Sequence, residues 1–117
     1  MTSTEQDCDK LIRELGGTVI TFGQKGRRTR NTLGVPDRLY FVAGRMIWFE
    51  VKAAKDRLRK SHPEQEAFLL RLMTYGQVAG CGNRADLLTL LNSTNPRKTG
   101  EAQVEKYRTE RKALRGA

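Results

Sequence analysis

Two apolar runs, "DRLYFV" (37–42) and "MIWFEV" (46–51), leave few folds open to this chain of 117 residues. Both are rich in aromatic and β-branched residues and read as strands, and the short turn around Ala43-Gly44 makes them a hairpin. With a two-residue loop, Val42 faces Arg45. Carried back along the ladder, the same register sets Asp37 opposite Glu50 on one face, with Cβ atoms roughly 4.5–5.5 Å apart. Lys52, two residues beyond Glu50, falls on that face too. Leu39, Phe41, Met46 and Trp48 share it, while Tyr40, Val42, Ile47, Phe49 and Val51 line the other. Both faces are apolar, so both are expected to be covered, as in an α/β fold whose mixed central sheet is flanked by helices.

Two acids directly opposed on paired strands destabilise a sheet. A divalent cation between them reverses the sign of that term. Carboxylates and water suit Mg²⁺, which takes oxygen ligands at about 2.0–2.1 Å and keeps part of its hydration shell. The carbonyl of Val51 could add a ligand. Lys52 could orient or deprotonate a metal-bound water, or neutralise charge building on a phosphate. A one-residue change in the turn would swap the faces, so the geometry depends on the loop length. The triplet E-x-K alone carries nothing: Glu110-Arg111-Lys112 repeats it near the C-terminus with no strand before it. The full pattern, "GVPD", a hairpin's length, then an apolar strand ending in "EVK", is far rarer.

The rest of the chain supplies the flanking helices. Cys8, Leu11, Ile12 and Leu15 recur at helical spacing, so 5–15 is an amphipathic helix closed by Gly16-Gly17. "TVITF" (18–22) is a strand. "GQKGRRTRNTLG" (23–34) is a polar loop with four basic residues, Lys25, Arg27, Arg28 and Arg30, and no acid. Ser61 and Glu64 have the spacing of a capping box for a helix reaching about Tyr75, with Phe68, Leu69 and Leu72 inward. His62 belongs to that helix start. "QVAGCG" is a short strand and 84–91 a short helix. Segment 97–117 has seven basic residues against three acids and few apolar ones, and reads as a solvated helix or a loosely ordered basic arm. The expected organisation is one domain over 1–95 and a basic C-terminal extension over 96–117.

A formal net charge of +9 and a pI of about 10.1 point to a polyanion as partner, and nucleic acid is the default. Arg27, Arg28 and Arg30, with Lys25 before them and Lys55, Arg57, Arg59 and Lys60 after the second strand, are the candidate phosphate contacts. The single histidine and two separate cysteines, Cys8 and Cys81, exclude a zinc cluster. No apolar run approaches the roughly 18 residues of a membrane-spanning helix. The polar opening "MTSTEQDCDK" is no secretory signal, so the cytoplasm, with both thiols reduced, is the expected compartment. Trp48 and Cys81 read as core residues.

Taken together, "GVPDRLYF", "WFEVKAAKDRL", Gln65 and "LLRLMTYGQVAG" resemble the PD-(D/E)XK nuclease superfamily. Within it they resemble the VRR-NUC branch in its small stand-alone form from bacteriophages and bacteria, over roughly residues 5 to 91. The resemblance implies the restriction-endonuclease-like core and Mg²⁺- or Mn²⁺-dependent hydrolysis of DNA phosphodiesters. It also implies a homodimer acting on Holliday junctions or other branched DNA. It makes Asp37 and Glu50 metal ligands, Lys52 the catalytic lysine and Gln65 a supporting residue. A helical acid near the N-terminus completes the family's metal site, and Glu5 and Asp9 compete for that role. Two other readings stay open: a nucleic-acid-binding module without catalysis, and a basic assembly protein that binds no divalent metal.

Overall fold

The computed structural model describes residues 3–22, 34–52 and 63–116. In chain order the elements are α1 (Ser3–Glu14), β1 (Thr18–Thr21), β2 (Arg38–Val42), β3 (Arg45–Val51), α2 (Pro63–Thr74), β4 (Val78–Gly82), α3 (Arg84–Leu91) and α4 (Pro96–Gly116). The strands form one four-stranded sheet in the order β1-β2-β3-β4. The first two pairings are antiparallel, and β3 and β4 run parallel, so the sheet is mixed. A parallel neighbour requires a crossover, and α2 lies in it.

The β2–β3 turn sets the register on which the candidate site depends. Ala43 (φ 54°) and Gly44 (φ 75°) both adopt left-handed backbone, as a two-residue turn matched to sheet twist demands. Val42 accordingly pairs with Arg45, and the ladder runs on to Arg38 opposite Phe49. One step further brings Asp37 opposite Glu50.

Helices cover the two faces of the sheet unequally. On one face, Cys8, Leu11 and Ile12 of α1 and Leu87 and Leu90 of α3 pack on Tyr40, Val42, Ile47, Phe49 and Val51. On the other, Leu69 and Met73 of α2 and Val104 and Tyr107 of α4 pack on Ala79 and Cys81, with Trp48 at the margin. That second face carries the acids, and the described helices cover it over β3 and β4 only. Toward the turn, Phe41 and Met46 stay 38% and 46% exposed, which corrects the expectation of complete cover. Leu15 is exposed as well, because the helix has ended before it. In α2 the buried positions are Glu66, Leu69 and Met73, with Phe68 and Leu72 half-buried.

The largest correction concerns the C-terminal segment. It is neither a solvated helix nor a loose arm. Residues 96–116 form one helix whose Gly100, Gln103, Val104, Tyr107 and Arg111 are buried. Those positions make an inward stripe at helical spacing. Two of its members, Gln103 and Arg111, are polar, and their partners lie on other elements. Gln103 accepts from the Cys81 amide and donates to the Asp86 carbonyl (3.2 and 2.8 Å). The Arg111 guanidinium donates to the buried Glu66 carboxylate on α2, which also faces Arg108 Nε at 3.5 Å. Among the described residues no helix is long and apolar enough to cross a membrane.

Candidate active site

The site begins at the end of the hairpin away from its turn. Asp37 follows buried Pro36 and precedes β2, and three of its polar groups are held. Its amide donates to Glu50 Oε1 (3.1 Å), and its Oδ1 accepts from the Val51 amide (3.3 Å). Its carbonyl accepts from the Phe22 amide at 3.0 Å and from Arg38 Nη1 at 3.2 Å. Each acid thus takes a backbone N–H from the opposite strand.

Glu50 and Lys52 are 7% and 4% exposed. The Lys52 amide donates to the Gly82 carbonyl of β4 (2.8 Å), which carries the chain past the end of β3 in register. Lys52 Nζ donates to Gln65 Oε1 at 2.8 Å, from the first turn of α2. Gly34 fixes how close that turn lies. At φ 90° it packs against the Glu64 carbonyl, where an added Cβ would come within 2.4 Å. The glycine of "GVPD" therefore sets how closely the first turn of α2, which carries Gln65, approaches the segment before Asp37. The structure brings together Asp37, Glu50, Lys52 and Gln65.

Glu5 is half-buried in the first turn of α1, one turn before Asp9. Asp9 is 1% exposed, and its oxygens are committed. Oδ1 accepts from Arg38 Nε and the Tyr40 hydroxyl, both at 2.9 Å, and Oδ2 accepts from Arg38 Nη2 at 3.2 Å. Burial alone would weaken the Arg38 cation, but the Asp9 carboxylate outweighs it and raises the guanidinium pKa. Burial, with Asp9 second, raises the Tyr40 phenol, which stays protonated as a donor. Sequence reasoning missed this cluster. Its one local signal was an acid between Cys8 and Leu11-Ile12 on a helix's apolar face.

Cys81 pairs with Glu50 across β3 and β4. Burial pushes its thiol up to about 12, with Lys52 pulling it down and Glu50 pushing it up. A thiol held that high is no nucleophile near neutral pH. Lys25, Arg27, Arg28, Arg30, Lys55 and Arg57, the expected phosphate contacts, lie outside the described residues, as do Arg59, Lys60, Ser61 and His62.

The donor set fits a hard divalent cation, since Asp37 and Glu50 offer oxygen alone. A strand residue directs its N–H and C=O to the same side. Val51 gives its amide to Asp37, so its carbonyl is directed there too. Among the described residues no three His, Cys, Asp or Glu side chains gather as a metal cluster.

No family model matches the sequence, and no curated protein does. The described residues form a mixed four-stranded sheet flanked by helices. A solved structure described as a VRR-NUC domain is similar. It shares 23% identity at a TM-score of 0.57, over 79% of this chain and 94% of the other. The chain has the VRR-NUC fold.

Proposed function

We propose that this protein is a Mg²⁺- or Mn²⁺-dependent nuclease that hydrolyses phosphodiester bonds in DNA. The observation that carries the reading is Asp37 opposite Glu50, with Lys52 held on the same face by Gln65. Asp37, Glu50 and the Val51 carbonyl would hold the cation. A bound divalent cation polarises a phosphate and lowers the pKa of water.

The chain's own groups supply the rest. Asp37 and Glu50 are oriented by backbone bonds that the hairpin register fixes, so little rearrangement is needed on binding. Gln65 Oε1 accepts from Lys52 Nζ and holds it among the acids rather than in solvent. Lys52 then orients the attacking water or offsets charge that builds on the phosphate. The net charge of +9 favours a polyphosphate substrate, and affinity should fall steeply with salt. The sequence resemblance to stand-alone VRR-NUC nucleases implies branched DNA, Holliday junctions included, as substrate, and a homodimer that sets two sites on two strands. A cytoplasmic location belongs to the same reading.

Cleavage of a labelled four-way junction and a matched duplex, with Mg²⁺, Mn²⁺ or EDTA, tests it, run beside Lys52→Ala. The expected result is metal-dependent cutting, faster on the junction, that falls about 10²- to 10⁴-fold in the variant while binding persists. Binding without cutting under any metal would replace this reading with a non-catalytic nucleic-acid-binding module.

A further inference from the structure

Asp9, Arg38 and Tyr40 sit behind the candidate site, on the face of the sheet opposite the acids. We propose that they form a clamp that positions Asp37 for divalent-cation binding. The proposal rests on the metal-site reading above.

The geometry turns on one guanidinium with three employed nitrogens. Arg38 Nε and Nη2 meet the two oxygens of Asp9 at 2.9 and 3.2 Å, and Nη1 meets the Asp37 carbonyl at 3.2 Å. A planar fork serves such a bridge, and the single nitrogen of lysine cannot. Asp9 belongs to α1 and Asp37 to the residue before β2, so the fork ties the helix to the acid's own backbone. Tyr40, two residues along β2, adds a hydroxyl to the same Asp9 oxygen at 2.9 Å. The cluster is closed to solvent, with Asp9 1%, Arg38 4% and Tyr40 0% exposed.

Asp37 is held from both sides in consequence. The acids' face fixes its amide and carboxylate, and the clamp and Phe22 fix its carbonyl. The same tie sets the position of α1, whose Glu5 lies one turn from Asp9. Asp9, Arg38 and Tyr40 are buried and bonded to one another and to the Asp37 carbonyl, so they act as positioning residues. Loss of a group that orients a ligand weakens metal binding about 10- to 100-fold in comparable sites.

The test is Mn²⁺ titration of the DNA-free protein by calorimetry, beside cleavage measured across a range of Mn²⁺ concentrations. Asp9→Asn and Arg38→Lys should weaken Mn²⁺ binding about 10- to 100-fold. The midpoint of the cleavage curve should move by the same factor, and saturating Mn²⁺ should recover most of the turnover. Tyr40→Phe should shift both in the same direction by less, and it serves if Asp9→Asn does not fold. Leu87→Ala, a buried core truncation on α3, is the control for lost stability and should leave the Mn²⁺ affinity at the wild-type value. Folded clamp variants that bind Mn²⁺ as wild type does would overturn the clamp alone, provided that Asp37→Asn binds it more weakly. A Leu87→Ala shift as large as that of Asp9→Asn would reduce the cluster to a structural role. A wild type that binds no Mn²⁺, or an Asp37→Asn that binds it unchanged, would overturn the metal site and the clamp with it.

Discussion

At the open end of the β2–β3 hairpin, the two faces of the sheet hold carboxylates in opposite ways. On one face Asp9 is buried with its cation built in, as Arg38 covers both of its oxygens. On the other, Asp37 and Glu50 oppose each other and are steadied by backbone amides. Lys52, the described cation on their face, is tied to Gln65. Removing one partner of a buried pair strands a charge, and the fold loses heavily. Separating two opposed acids relieves a repulsion. The first arrangement serves the fold, and the second, on the metal-site reading, would face a bound cation.

Glu66 extends the contrast across the molecule. It is 2% exposed, like Asp9, and takes Arg108 and Arg111 from α4 as partners. It follows Gln65 directly, so the residue that holds Lys52 stands beside the one that fastens α2 to α4. The buried ion pairs of Asp9 and Glu66 anchor the elements, and the opposed acids sit on the frame those anchors make.

Three measurements can break this comparison. The largest effect is expected of Arg38→Met, which leaves Asp9 buried and uncompensated. Denaturant unfolding should show a loss of about 3–5 kcal/mol. A loss below 1 kcal/mol, at the level of an exposed ion pair, would mean that Asp9 is not the buried ion the face requires. Next is alkaline pH. Cys81, between Glu50 and Lys52, holds its proton to about 12 in the fold against an ordinary value of 9.0. Above pH 9 the unfolded chain releases that proton while the folded chain keeps it, so the Cys81 contribution to stability is present below about 9 and declines as pH rises toward 12. Denaturant midpoints across that range should fall less steeply for Cys81→Ala than for wild type. Equal slopes would show that the thiol is not buried beside the acids. The smallest effect is expected of Asp37→Asn in EDTA. Relief of repulsion and loss of a charged acceptor oppose each other, so stability should change by less than about 1 kcal/mol. A loss as large as that of Arg38→Met would erase the distinction between the faces.

The β2–β3 hairpin, its turn and its register were legible in the sequence. So were β1, β4, α1 and the bounds of α3, because alternation and helical spacing are local signals. They carried the opposition of Asp37 and Glu50 and the shared face of Lys52. The same signals failed for α4. Its inward stripe includes Gln103 and Arg111, and a polar residue reads as solvated until its partner is known.

Local pattern by itself determined the strands, the pairing of the β2–β3 hairpin and the face on which the acids meet, since side chains alternate along a strand and the turn fixes the register. Tertiary structure alone decided what each buried charge is for. Asp9 lies 29 residues from Arg38, and Glu66 lies 45 from Arg111. No local period links such positions. They meet because α1 and α4 pack on opposite faces of one sheet, and burial in a low-dielectric interior then requires each ion to be paired.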